Sequence, residues 1–336
     1  LALRALCRPR RSHKGLLFVG LVGAALLAAD GAITPAISVL GAIEGLETRL
    51  PSLKVAVLPL ASIIMVGIFW LQRRGTGRIG ALYGPIVLVW FASIAAVGLP
   101  WIILQPQVLK GIDPRYALHF LRHGPEGYFV LGAVVLAVTG AEAVYADLGH
   151  FGRRPIRLGW FAVVFPALLL NYFGQSAYLF AHTGEKVASP FYEMVPSALL
   201  YPMVGLATLA TIVASQALIS GLYSLVHQAV QLGYLPRGTI LHTSAELEGR
   251  IYLPQINSIL FVGCVLLVLG YQTSDNLAAA YGIAVTGTMA ATTILYFMVI
   301  KKHTKLIAAA ALGLGFLVVD LAFLGANIPK VFSGGW

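Results

Sequence analysis

Charge is scarce in this chain, and the scarcity excludes whole classes of protein. Only 11% of the 336 residues are Asp, Glu, Lys or Arg, while 58% are hydrophobic and the mean hydropathy is +0.84. A soluble domain needs no such apolar excess. Apolar runs near about twenty residues recur along the chain, which predicts an all-α polytopic membrane protein. Acidic residues are scarcer than basic ones, 13 against 23, for a formal net charge of +10. That balance alone would suit nucleic acid. The basic residues, however, sit in short clusters between apolar runs, as in the cytoplasmic loops of a membrane protein, so no nucleic acid is expected. Cysteine is nearly absent. Cys7 lies in a basic leader and Cys264 in an apolar run, so neither a disulfide nor a metal pair is expected. No metal-ligand spacing, cofactor motif or nucleophile–base pair appears, and no enzyme is expected. There is also no secretory signal with a cleavage site.

The apolar runs predict nine spans, at about 15–40, 55–71, 79–104, 129–149, 158–180, 198–232, 253–271, 277–300 and 306–325. Residues 1–14 read as a basic cytoplasmic segment, 15–326 as the helical bundle and 327–336 as the start of a following loop. The run at 198–232 is too long for one simple crossing. It is expected to tilt or to continue into the cytoplasm with His227 and Gln228. A cytoplasmic N-terminus puts the clusters at Arg4–Lys14, Arg73–Arg78, Arg153–Arg157, Arg237–Arg250 and Lys301–Lys305 inside. Those clusters hold most of the chain's 23 Lys and Arg, and loop charge sets orientation.

The stretch Leu131–Phe151, LGAVVLAVTGAEAVYADLGHF, carries Glu142 near the middle of an apolar run. A bare carboxylate at that depth costs a few kcal/mol or more, which makes it a candidate functional site. Thr139 and Glu142 are three apart and share a face on a helix. Gly140 between them allows a break. A broken helix exposes carbonyls and half-helix ends of the kind that bind ions in secondary transporters. The plainer role for Glu142 is a neutral carboxyl that bridges helices. In the first span, Asp30, Thr34 and Ser38 make a polar stripe and Pro35 removes a backbone donor. The stripe faces a cavity or the bundle interior, or else Asp30 caps or bridges helices. Glu44, near the interface, reads as surface chemistry. Tyr281, followed by Gly282, offers a phenol oxygen to an ion or simply packs between helices.

Three other patterns carry less. Gly75-Thr76-Gly77-Arg78-Ile79-Gly80 fits G-x-G-x-x-G but joins two spans, where a dinucleotide site needs a strand and a helix of a βαβ unit. Ser215 and Ser220 lack a nucleophile elbow and suit close helix approach. His119, His123 and His182 fall in outer loops, and His150 beside Arg153 and Arg154 reads as loop.

Taken together, DGAITPAISVLGAIEGL, YGPIVLVWF, VTGAEAVYADLGHF, YFGQSAYL, ATLATIVASQALIS, LPRGTILHTSAELEGRIYLPQIN, AYGIAVTGTM and VVDLAFLGANIPKVFSGGW resemble, in order, motifs of the Kup/HAK/KT family of potassium uptake permeases. The resemblance covers essentially the whole chain. It implies a LeuT-like (APC superfamily) inverted-repeat bundle, here partial. The nine spans would be the third to eleventh of twelve, since the family's opening G-D-I-G-T-S-P-L-Y motif does not occur. It also implies K⁺ uptake by K⁺/H⁺ symport across the bacterial inner (plasma) membrane, with K⁺, H⁺ and lipid as partners. Dimerisation would belong to the full-length protein, through its cytosolic domain. Carried over by motif, Thr139, Tyr281 and Glu142 would bind K⁺. Asp30 and Glu142 would balance charge and carry the coupled proton. A K⁺ channel or uniporter, a symporter of another small solute, and a fragment inactive by itself are the alternatives.

Overall fold

A computed structural model describes residues 14–48, 50–74, 80–122, 124–140, 152–236, 238–239, 241–242 and 251–331. Within them the chain is almost wholly helical. Its helices are α1 (Lys14–Glu44), α2 (Lys54–Arg74), α3 (Gly80–Leu104), the short α4 (Pro114–Leu121) and α5 (Pro125–Val138). Next come α6 (Arg153–Ala181), which passes through a π-helical turn at Trp160–Val164, and the single turn α7 (Pro190–Glu193). They are followed by α8 (Leu200–Gln231), α9 (Pro254–Tyr271), α10 (Ser274–Ile300) and α11 (Leu306–Asn327). A two-residue antiparallel pairing joins Leu241–His242 to Ile251–Tyr252.

Among the described residues eight helices are long and apolar enough to cross a membrane. They coincide with eight of the nine predicted spans. The remaining predicted span, 129–149, contains α5, which ends at Val138, well short of a full crossing. Its residues 141–151 lie outside the described residues. The long run at 198–232 is one helix of 32 residues. At 1.5 Å per residue it is about 48 Å long, against a hydrocarbon core of about 30 Å, so it tilts or projects. Large apolar side chains such as Val55, Leu158 and Ile307 stay exposed. In a bilayer that exposure faces lipid, while the backbone donors and acceptors are satisfied inside each helix. These features describe a multi-pass, all-α membrane protein.

α1 is the hub. It packs on α10, α8, α9 and α2. The α1–α10 seam is built on small residues: a Cβ on Gly23 would lie 2.9 Å from Ala291 Cβ, and one on Gly287 2.7 Å from Leu26 Cδ1. Small residues bring helix backbones close where no hydrophobic effect drives association in lipid. The main core joins Ile33, Ala36, Val39 and Leu40 of α1 to Ile219, Leu222 and Tyr223 of α8. It also takes in Leu260 and Cys264 of α9 and Leu277, Tyr281 and Val285 of α10. A second pair, α3 with α6, meets this core through α8. There Gly98 and Gly174 put the two backbones in direct contact, and Asn171 Nδ2 donates to Ile94 O at 3.2 Å.

The end of α1 is tied to the start of α10. The Glu44 carboxylate accepts from Ser274 N at 2.7 Å and from the Ser274 hydroxyl. An anion there neutralises the exposed N–H groups and the positive end of the helix dipole. Glu44 therefore caps another helix instead of serving as surface chemistry. Beside it, Tyr192 of α7 donates to Ala42 O at 2.8 Å. Burial first, and then the Glu44 carboxylate, push the Tyr192 phenol well above its ordinary pKa.

Candidate functional site

Three of the four sequence-predicted site residues lie on elements that meet in the main core. Asp30 stands in the middle of α1 and is 2% exposed. Thr34, one turn on, donates its hydroxyl to Asp30 Oδ1 at 2.8 Å. The polar stripe thus faces inward, as expected of a carboxylate in a span. The helix runs unbroken through Pro35 to Glu44. Tyr281 is buried within α10, in the same core cluster as Ile33 and Ala36 of α1. Leu136, in the last turn of α5, packs against that cluster. α5 packs on α10 and α11.

α5 ends there by a definite local device. Thr139 has φ −79° and ψ 176°, an extended conformation, and its hydroxyl donates back to Leu136 O at 3.0 Å. That bond satisfies one of the carbonyls a helix end leaves unpaired. Gly140 follows at φ +109°, a backbone conformation in which an L side chain is strained. α5 stops where the sequence allows a break, and residues 141–151 lie outside the described residues. One expectation changes with it. Thr139 lies outside the helix, so it shares no helical face with a residue three positions on. Glu142 itself lies outside the described residues, as do Cys7, His123 and His150.

The sequence reading passed over several polar groups. Asp320 of α11 is 5% exposed and accepts from Thr293 Oγ1 of α10 at 2.5 Å. It is a carboxylate in the middle of an apolar run, so the rule that selected Asp30 would have selected it. Thr286, fully buried, returns its hydroxyl to Gly282 O at 2.6 Å. Tyr223 donates to Asn257 Oδ1 at 2.7 Å, and Gln216 Nε2 to Ile68 O at 3.2 Å. No motif marks these last pairs, because each is made between distant helices.

The other sequence patterns have structural roles. Ser215 and Ser220 donate back to Thr211 O at 2.7 Å and Gln216 O at 2.9 Å along their own helix. Cys264 is buried as a free thiol and donates to Ala32 O at 3.2 Å. The glycine run before α3 connects one long helix to another, and residues 75–79 lie outside the described residues. Among the described residues no cluster of three or more His, Cys, Asp or Glu could hold a metal ion.

Among the described residues the bundle holds inward carboxylates at Asp30 and Asp320, each with a hydroxyl partner, and a helix that ends at Val138. Such an arrangement offers oxygen ligands to a cation. Residues 1–336 match the family model described as "K+ potassium transporter integral membrane domain". The chain is 52% identical over 339 residues to the probable potassium transport system protein Kup of Azoarcus sp. (strain BH72). It is 55% identical over 339 residues to the probable Kup 1 of Paramagnetospirillum magneticum. Each match takes in 100% of this chain and 53% of the relative, so the chain spans about half the length of the curated relatives it matches. Both relatives are named as transport proteins, not enzymes. On a family match that runs from end to end and relatives more than half identical, the chain belongs to the Kup/HAK/KT family of potassium transporters.

Proposed function

We propose that the whole protein takes up K⁺ together with H⁺ across the bacterial inner membrane, on a LeuT-like inverted-repeat bundle, with the N-terminus of this chain cytoplasmic. The observation that carries the reading is a carboxylate, Asp30, buried inside α1 and held by Thr34, in a bundle whose core the end of α5 also reaches through Leu136. K⁺ is a large monovalent cation that suits several oxygen ligands, carbonyls included. Thr139, Tyr281 and Glu142 would supply them. Thr139 keeps lone pairs for an ion while its proton is committed to Leu136 O.

Asp30 and Glu142 would titrate as a coupled set. A nearby K⁺ favours their ionised form, and its departure favours protonation. That exchange links proton and ion movement without covalent chemistry. The test is rubidium-86 uptake into proteoliposomes under an imposed inward proton gradient. The whole protein should accumulate the ion and lose the activity when the gradient is collapsed. Glu142→Gln should abolish gradient-driven uptake, and robust coupled uptake by that variant would sink the role given to Glu142. Uptake that ignores the gradient in the unsubstituted protein would favour a channel or uniporter.

A further inference from the structure

The outer part of α5 is fastened to α11 at two points. Tyr128 donates its hydroxyl to Ala322 O at 3.0 Å, with Gly325 leaving room for the phenol. One to two turns deeper, Lys330 Nζ, from the turn that follows α11, donates to Gly132 O at 2.8 Å. Between these two bonds stands Asn327, fully buried. Its Nδ2 donates to Phe323 O at 3.0 Å. Its Oδ1 presses on Gly282, the residue after Tyr281, and accepts no hydrogen bond. A buried acceptor without a donor is costly, so a native structure needs a reason to keep one.

The reason is close by. A Cβ placed on Gly132 would lie 3.1 Å from Asn327 Oδ1 and 3.2 Å from Lys330 Nζ. The ammonium and the orphan oxygen are therefore no farther apart than the sum of those two distances. A lysine side chain covers such a gap by a change of rotamer, and its ammonium has three protons to give. Glycine at 132 keeps the path clear.

We propose that Lys330 is a two-position latch between α11 and α5. In one position its ammonium holds Gly132 O, as here, and in the other it holds Asn327 Oδ1. The exchange lets the half-span that ends at Thr139 shift against α11 and α10, with Tyr128 as the pivot. Neither position leaves the ammonium without an acceptor. Packed interfaces of this kind switch between discrete arrangements and do not deform continuously. Lys330 and Asn327 are thus positioning residues for the site around Thr139. This inference rests on the transport reading above.

The experiment compares the whole protein with Asn327→Asp, Asn327→Leu and Lys330→Arg. Two readouts are used: hydrogen–deuterium exchange of the α5 amides, and rubidium-86 uptake beside equilibrium rubidium binding. Asn327→Asp strengthens the second position and draws Lys330 off Gly132, so α5 exchange rises. Asn327→Leu leaves Gly132 as the sole acceptor, so α5 exchange falls. Both should lower the maximal uptake rate by about tenfold or more, the effect of a modest bias on a two-state step. Binding should stay within about twofold of the unsubstituted protein, since the ion ligands are untouched. Lys330→Arg reaches both acceptors and keeps the rate. Equal α5 exchange in both Asn327 variants, or a shift of the same sign in both, overturns the latch. If an Asn327 variant does not fold, Lys330→Met decides. The latch predicts raised α5 exchange, and an unchanged value overturns it. An unsubstituted protein that takes up no rubidium defeats the transport reading, while the exchange comparison still decides the latch.

Discussion

α1 and α5 both bring polar groups into the bilayer interior, yet they do it in opposite ways. α1 contains a proline and continues; α5 contains neither proline nor charge in its last two turns and stops. Pro35 removes one backbone donor, so the carbonyl of Gly31 loses its usual partner. The rest of the helix is held by α10, α8, α9 and α2 on several sides, and one lost bond does not end it. At Thr139 a side chain takes over a helical carbonyl, and Gly140 then adopts φ +109°. A proline in a well-packed helix is a local defect. A capping hydroxyl followed by a glycine of positive φ is a terminus.

The comparison can be broken from its strongest point down. Asp30→Leu removes the buried carboxylate of the intact helix while filling its volume. Uptake of rubidium should fall to background with the folded fraction unchanged in size-exclusion profiles. Retained uptake would take Asp30 out of the site. Gly140→Val places a β-branched side chain at a backbone conformation that costs about 1–3 kcal/mol or more. Uptake should drop by about tenfold or more, each factor of ten corresponding to about 1.4 kcal/mol. An active Gly140→Val protein would mean that the interruption is dispensable. Thr34→Val removes a donor to a buried carboxylate. A loss of about 1–3 kcal/mol is expected, read as a lower unfolding temperature in detergent, together with a changed pH dependence of uptake. Pro35→Ala should matter least. The helix already passes through this position, so a shift of only a few degrees and near-normal uptake are expected, as for changes well under about 1 kcal/mol. A collapse of activity in Pro35→Ala would show that the proline, not only the end of α5, shapes the site.

The candidate site was legible in part. A carboxylate in an apolar run announces itself, and Asp30 is buried and accepts from Thr34 of its own stripe. Gly140 was legible because glycine beside a polar group in a span marks an interruption. Asp320 obeys the same rule and was passed over, although its sequence signal is as strong as that of Asp30. Glu44 was misread because its partner, the N-terminus of α10, lies 230 residues away in sequence. The Lys330–Gly132 bond and the orphan oxygen of Asn327 had no sequence signal at all.

What the sequence determined alone was the place and order of the eight long apolar helices. A bilayer demands about twenty apolar residues per crossing and internal satisfaction of every backbone group, and both demands can be counted along a chain. What only the tertiary structure decided was which polar groups meet. Helix faces in lipid are apolar all round, so periodicity does not say which side turns inward. The choice falls to glycine-lined seams such as α1 with α10 and to single hydrogen bonds between distant helices.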